Sequence, residues 1–310
     1  MEERPVPEPG PGEIRVRVLA SALNRADLLQ RRGAYPAPPG APADVPGLEY
    51  AGEVEAVGEG AGLWAVGNRV MGLVGGGGHA EYVVVHEREA IRIPHDLSVE
   101  DAAAIPEAFL TAYDALFPQL DVKMGERVLV HAVGSGVGTA AVQLLRAAGA
   151  MVIGTSRTAS KLERAAELGM EVGVDTSRED LAEVVNQATY GSGVHAVLDL
   201  VGGKLLEASL RVLAMRGRLI VVGTTGGAKA EVDLGLILRR RLHVLGTVLR
   251  TRPLEEKIAL AREFSKTVLP LLSSGRVKPI VDSTYHFTEI ADAHRRMESN
   301  ETFGKVVLRW

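Results

Sequence analysis

The 310 residues allow about two domains at roughly 150 residues each, and 46% hydrophobic with 24% charged residues excludes a disordered chain. A net charge of -4 argues against a nucleic-acid partner, and the absence of cysteine excludes disulfides, thiolate nucleophiles and Cys-ligated metal. No cationic leader opens the sequence and no apolar stretch reaches the roughly 18 residues of a membrane span, so a cytoplasmic globular protein is expected.

The first hundred residues are rich in Gly and Pro and carry short alternating runs, Ile14 to Val18 and Tyr82 to Val85, which predict a β-rich region. From about Pro106 strands and helices alternate. Val128 to Ala132 predicts a strand, Gly136 to Ala148 a helix stopped by Gly149, Met151 to Gly154 a strand, and Thr158 to Leu168 a helix stopped by Gly169. Strands at Val172 to Val174, Ala196 to Val201, Arg218 to Val222 and His243 to Val248 follow, with helices near Glu179 to Ala188 and over Leu205 to Leu213. Continuous apolar strands joined through helices predict an α/β region with a doubly wound, parallel Rossmann sheet. A long helix from Leu254 to about Leu272, a strand pair around Val281 to Phe287 and a helix from Thr288 complete the chain, and this tail is expected to return to the first domain.

The segment His131-Ala132-Val133-Gly134-Ser135-Gly136-Val137-Gly138 follows a predicted strand and opens a predicted helix, the context in which a glycine-rich string binds a dinucleotide. Gly134, Ser135, Gly136, Val137 and Gly138 are therefore expected at a pyrophosphate, with the helix N-terminus facing its charge. The string departs from GxGxxG at Val133 and Ser135, which stand where the first two glycines would be. An NAD-preferring site places Asp or Glu at the end of the second strand. Here that end offers Thr155, Ser156 and Arg157, then Lys161, two hydroxyls and two cations suited to a 2'-phosphate, so NADPH is expected.

These residues resemble the medium-chain dehydrogenase/reductases, and within them the quinone oxidoreductase (zeta-crystallin-like) branch. The likeness rests on Gly125-Glu126, Leu129, the loop ending Gly136-Val137-Gly138, Gln143 and Arg146, and in the first domain on Ala22 to Asp27, Arg31 to Tyr35, and Pro46-Gly47-Leu48-Glu49 with Gly52. The ALNRAD string, the SGVGTAA loop and Gly304 to Leu308 look most like the tumour-suppressor-inducible quinone oxidoreductase subgroup. The resemblance implies a GroES-like catalytic domain over 1–107 and 247–310 and a Rossmann cofactor domain over 108–246. Zinc-dependent relatives carry Gly-His-Glu at the position of Gly47-Leu48-Glu49, and Leu48 cannot ligate zinc, so no metal site is expected. The implied reaction is direct hydride transfer from NADPH to a quinone or activated enone.

By resemblance Asn24, Asp27, Tyr35 and Thr111 line the catalytic cleft, with Tyr35 or Asn24 as the oxyanion donor, and Gly223, Thr224, Val248, Leu249 and Lys305 join the cofactor set. Asn24 and Asp27 equally suit capping of the following helix. Leu29 replaces a cleft tyrosine of several relatives, Thr176 replaces a tyrosine beside the 2'-phosphate, and the chain begins at what resembles the family's second strand. Two alternatives stay open: an enoyl-thioester reductase, and an NADPH-binding structural or nucleic-acid-binding protein without turnover. The densest basic run, Arg239-Arg240-Arg241, is short and reads as a solvated rim. The resemblance implies a homodimer, formed through the strand at His243 to Val248, although tetramers occur in the family as well.

Overall fold

The computed structural model describes residues 2–310, which divide into two compact units, 2–110 with 249–310 and 111–248. The division falls beside the expected boundaries at 107 and 246. It leaves Thr111 in the second unit and Leu249 in the first.

In chain order the first unit opens with β1 (Glu13–Ala22), α1 (Arg25–Arg31), β2 (Glu49–Val57), β3 (Arg69–Leu73), β4 (Tyr82–His86), β5 (Ile91–Arg92) and α2 (Val99–Ala103). Helix α3 (Pro106–Asp114) follows. The second unit holds β6 (Arg127–Val130), α4 (Gly136–Ala147), β7 (Met151–Ser156), α5 (Ala159–Glu167), β8 (Val172–Asp175), α6 (Leu181–Ala188), β9 (Val194–Asp199), α7 (Leu205–Val212), β10 (Leu213–Val221), α8 (Leu234–Arg240) and β11 (His243–Gly246). The first unit resumes with α9 (Leu254–Thr267), α10 (Leu269–Ser273), β12 (Val281–His286), α11 (Ile290–Glu298) and β13 (Lys305–Arg309).

Alternation of buried and covered residues along β1 lets Ile14, Val16 and Val18 pack with Tyr50, Val54, Val70, Val83 and Val85. The sheet of this unit has seven strands in the order β12-β13-β1-β2-β3-β5, with β4 on β1. The C-terminal strand β13 enters antiparallel to β1, Ala22 opposite Val307, and so carries Lys305 toward the start of α1.

The second unit is a six-stranded parallel sheet in the order β11-β10-β9-β6-β7-β8. Numbered within the unit this is the doubly wound order 3-2-1-4-5-6, which reverses between β6 and β9 and opens a crevice at the carboxyl ends of those strands. Leu129, Ile153, Val174, Val197 and Leu219 stack across the sheet as its buried core.

Differences from the sequence reading have local causes. The helix expected from Leu254 to Leu272 divides at Val268, ahead of Pro270, whose missing N–H cannot continue the ladder. The expected strand pair at 281–287 is a single strand, β12, which pairs in parallel with β13 rather than with a neighbour in sequence. Helix α6 starts two residues later than the acidic run suggests, because the Asp180 carboxylate caps it by accepting from the N–H groups of Ala182 and Glu183. Strand β10 begins at Leu213 and is irregular up to Arg218, where Arg216 takes a positive φ of 60°.

Candidate functional site

The glycine loop lies at the carboxyl end of β6, on the crevice side. Ala132 turns the chain with φ of 51°, and the N–H of Val133 donates to the carbonyl of Thr155 at 3.1 Å, strapping the loop to the end of β7. Ser135 is the N-cap of α4, its hydroxyl accepting from the N–H of Gly138 at 3.0 Å. A Cβ on Gly138 would come within 2.4 Å of the Ala132 carbonyl oxygen, so only glycine fits beneath this turn. Val133, in the place of a first glycine, is fully buried, and its Cγ1 occupies space that a Cβ on Gly154 would need. The volume removed from the strand at Gly154 is what admits Val133 in the loop.

Among the described residues the N–H groups of Gly136 and Val137 donate to no partner, as the first turn of a helix leaves them. They stand with the positive end of the α4 dipole, a place suited to a pyrophosphate. The stem of Lys161 lies over Gly134, its Cδ 2.7 Å from where a Cβ would stand. Arg157 is exposed and Ser156 half-buried at the end of β7. The Ser156 carbonyl accepts from the Thr176 hydroxyl at 3.4 Å, which ties the ends of β7 and β8 together.

Thr155, expected with this set, points the other way. It is buried, and its hydroxyl meets Nδ1 of His131 at 2.9 Å, while His131 Nε2 meets the Ser209 hydroxyl at 2.7 Å. Burial lowers the His131 imidazole to about 4, so the ring is neutral at physiological pH and serves as an internal bracket.

Further along the crevice edge, Val221, Val222, Gly223, Thr224, Gly246, Thr247 and Val248 line an open pocket of about 360 Å³. Gly202 and Gly203, both at positive φ, let the chain after β9 approach the 226–227 backbone; a Cβ on Gly203 would be 2.3 Å from the Gly226 carbonyl. Asp199 Oδ1 accepts from the N–H groups of Val201 and Gly202, whereas its Oδ2 is buried without a partner. The hydroxyl of Thr111 is likewise buried and unpartnered. Two orphaned polar atoms, an open first helical turn and the cationic residues Arg157 and Lys161 fit a phosphorylated dinucleotide.

The first unit treats its expected site residues differently. Glu49, fully buried, accepts at Oε1 from Nζ of Lys305 at 2.7 Å and from Nδ2 of Asn24 at 2.8 Å. Lys305 also donates to the carbonyl of Leu23 at 2.8 Å and to Oδ1 of Asn24 at 2.6 Å, so its three protons are all engaged. It is an internal cation and not a phosphate ligand. Asn24 gives its second amide proton to the Ala22 carbonyl at 3.3 Å, which leaves it no donor for an oxyanion. Asp27 accepts from the N–H of Asn24 at 2.7 Å and from that of Gly47 at 2.9 Å, the helix-capping role. Burial works against its charge, yet His79 and these two N–H groups hold it below the usual carboxylate range. Leu249 is buried beside Leu73, Leu110 and Leu260, so its side chain too is part of the unit's interior.

Tyr35 remains. It lies half-buried in the loop after α1, its ring 4.8 Å from the guanidinium of Arg250. Arg250 pins that loop by donating to the carbonyls of Tyr35 at 3.2 Å and Gly75 at 2.7 Å and to Gln30 Oε1. Burial, then the nearby Glu107 carboxyl, raises the Tyr35 phenol above its ordinary value. Sequence reading missed Arg250, Glu107 and Asp199, and it quoted His131 only as the start of the glycine segment and not as a bracket, because chain folding over long separations assembles their partners. Among the described residues no group of three or more His, Asp or Glu side chains is placed to hold a metal ion.

Comparison with known proteins agrees with this architecture. Residues 10–95 match the alcohol dehydrogenase GroES-like domain and residues 136–269 the zinc-binding dehydrogenase model. A quinone oxidoreductase of Pseudomonas aeruginosa is 34% identical over 306 residues, 97% of this chain and 92% of that protein. A mycocerosic acid synthase-like polyketide synthase of Mycobacterium tuberculosis is 36% identical over 97% of this chain, which spans only 14% of its length. The crystal structure of the Escherichia coli quinone oxidoreductase complexed with NADPH superposes with a TM-score of 0.88 at 32% identity, covering 100% of this chain and 95% of that one. A shared two-domain plan, a nucleotide loop at the sheet's reversal point and full-length identity above 30% with a quinone oxidoreductase place the chain in the medium-chain dehydrogenase/reductase family.

Proposed function

We propose that this protein reduces quinones or activated α,β-unsaturated carbonyls with NADPH, by direct hydride transfer and without a metal. The observation that carries the reading is the loop strapped between β6 and β7, with the open N–H groups of Gly136 and Val137, the Lys161 stem over Gly134, and Arg157 with no acid at the end of β7. In it Gly134 to Gly138 hold the pyrophosphate, Ser156, Arg157 and Lys161 receive the 2'-phosphate, and Gly223, Thr224 and Val248 border the remainder. NADPH supplies a hydride at the nicotinamide ring. The Thr111 hydroxyl and Asp199 Oδ2, both buried and unpartnered, give the carboxamide and ribose polar atoms to bond. The absence of a metal-type donor cluster among the described residues, and Leu48 where zinc-dependent relatives carry histidine, support a reaction whose acceptor is already electrophilic. The Tyr35 phenol is the donor available in the first unit to the oxygen of that acceptor.

Calorimetric titration with NADPH and NADH, followed by loss of nicotinamide absorbance on adding an ortho-quinone, an alkenal or a crotonyl thioester, tests the reading. Tighter binding of NADPH and acceptor-dependent oxidation are expected. Failure to bind either nucleotide overturns it; binding without turnover on any acceptor favours the non-catalytic alternative.

We further propose a homodimer through β11. This strand is a sheet edge, and Leu234, Leu238 and Met215 nearby in the same unit are 71%, 77% and 58% exposed. Val244→Lys should convert a dimer to a monomer in sedimentation; a wild type that already sediments as a monomer removes the proposal.

A further inference from the structure

Two imidazoles in the first unit keep a buried nitrogen without a partner: Nε2 of His79, in the segment between β3 and β4, and Nε2 of His294, on α11. Their surroundings differ in sign. His79 is anchored through Nδ1 to the Ser21 hydroxyl of β1 at 2.6 Å, and its Nε2 lies 3.6 Å from Oδ2 of Asp27 on α1. That is too long for a hydrogen bond, yet a charge on this ring would meet a carboxylate. His294 instead places Nδ1 2.8 Å from Nη1 of Arg31, in the last turn of α1, and the same guanidinium holds Glu298, one turn further along α11, at 2.5 Å. A guanidinium has only protons to give, so Nδ1 of His294 accepts, and the neutral ring carries its own proton on Nε2. A second proton would go to Nδ1, the atom that receives the Arg31 bond. The bond would be lost and two cations pressed together around a ring that is 5% exposed, where little water screens them.

We propose that the Arg31–His294 contact is an acid-released latch between α1 and α11: neutral His294 closes it, and protonated His294 opens it while the sheet beneath stays formed. The charged groups facing the ring are Arg31 and Asp27 from α1, His79 from the segment before β4 and Glu298 from α11 itself. From β12 and β13, which also pack on α11, Asp282 and Lys305 are engaged by Arg296 and Glu49. Burial first, then His79 and Arg31, lower the His294 imidazole below its ordinary value of 6.5. The opened state therefore takes up a proton more readily than the closed one, so the latch is at full strength above that value and weakens as pH falls below it. Asp27 and Glu298 are held below the usual carboxylate range and stay charged across this interval. Helix α1 also roots the loop that carries Tyr35, because the N–H groups of Arg32, Gly33 and Ala34 donate to carbonyls of Leu29 and Gln30. Release of α1 frees the start of that loop.

Two measurements on the full chain test the latch. Nitrogen NMR of histidine-labelled protein reads the tautomer and titration of His294, and hydrogen exchange at about pH 7.5 and about pH 5, corrected for the intrinsic pH dependence of exchange, reads the helices. Neutral His294 should carry its proton on Nε2. Protection of residues 25–34 and 290–299 should fall about tenfold or more at the lower pH, the scale of one lost charge-assisted hydrogen bond, while β1 keeps its protection. H294N sets an amide oxygen near the place of Nδ1 and cannot titrate, so its protection should be the same at both pH values. R31M removes the donor: protection should be low at both, and the His294 titration should move up toward its ordinary value. H79Q should leave the acid response in place. A neutral His294 protonated on Nδ1, wild-type protection that does not change with pH, or loss of β1 protection in parallel would each overturn the proposal. So would an acid response that survives H294N or vanishes with H79Q. If H294N does not fold, the wild-type tautomer and the shift in R31M decide the matter.

Discussion

The loop at 131–138 in the second unit and the polar cluster around Glu49 in the first are both rich in residue types that bind ligands, yet they differ in how much bonding capacity they leave open. In the loop, the first-turn N–H groups, Thr111 Oγ1 and Asp199 Oδ2 have no partner among the described residues. In the cluster, Lys305, Asn24 and Asp27 are satisfied by one another and by backbone. A buried polar group with its bonding capacity engaged holds the fold, and one without a partner keeps capacity that a ligand can use. Residue type alone does not separate the two.

The contrast can be broken most directly at Gly138. Placing a branched side chain 2.4 Å from the Ala132 carbonyl must displace the turn, so Gly138→Val should abolish measurable NADPH binding in calorimetry. Retention of affinity would mean that the loop is not the pyrophosphate site. Lys305→Met tests the other region. It leaves Glu49 buried without its cation and should cost about 3–5 kcal/mol in denaturant unfolding. NADPH affinity should be unchanged in the folded variant, whereas a selective loss of affinity would return Lys305 to the cofactor.

Smaller effects sharpen the line within the second unit. Arg157→Ala with Lys161→Ala should weaken NADPH about tenfold or more and leave NADH within about twofold, as expected when charge-assisted contacts to a phosphate are lost. Thr155→Val should do the reverse: it strands Nδ1 of His131, costing about 1 kcal/mol of stability, with no change in nucleotide affinity.

The parallel sheet, the loop and the cations at the end of β7 were legible in the sequence because each is a local pattern: an apolar run, glycines before a helix, hydroxyls and charges at a strand end. The order 3-2-1-4-5-6 was not among them, since right-handed crossovers allow other doubly wound orders, and it comes from the pairing of β6 with β9. The inward turn of Thr155 was not legible, since it depends on Ser209 being held beneath His131 by a helix 78 residues away in sequence. Nor was the fate of Asn24, decided by Lys305 at a separation of 281 residues. Capping and cleft-lining use the same residue types, and only the count of engaged protons distinguishes them. Val133 shows the converse: an apparent fault in the glycine pattern is compensated at Gly154, outside the motif.

The smallest expected effect lies where the two behaviours meet, at Glu107, whose backbone belongs to the cluster and whose carboxyl does not. Its folded value of about 8 lies above the ordinary carboxyl value of 4.5, so between those values the native state binds a proton that the unfolded state has released. Stability must then fall as pH rises through this window, and below it the contribution vanishes because both states are protonated. Glu107→Gln removes the linkage. The variant should match wild type in melting temperature near the acidic end and exceed it by about 2–4 °C near pH 8, a modest gain because partial exposure screens the group. A difference that does not grow with pH would place the carboxyl in an ordinary solvated setting, and a variant less stable at every pH would show that the carboxylate is one more bonded member of the cluster.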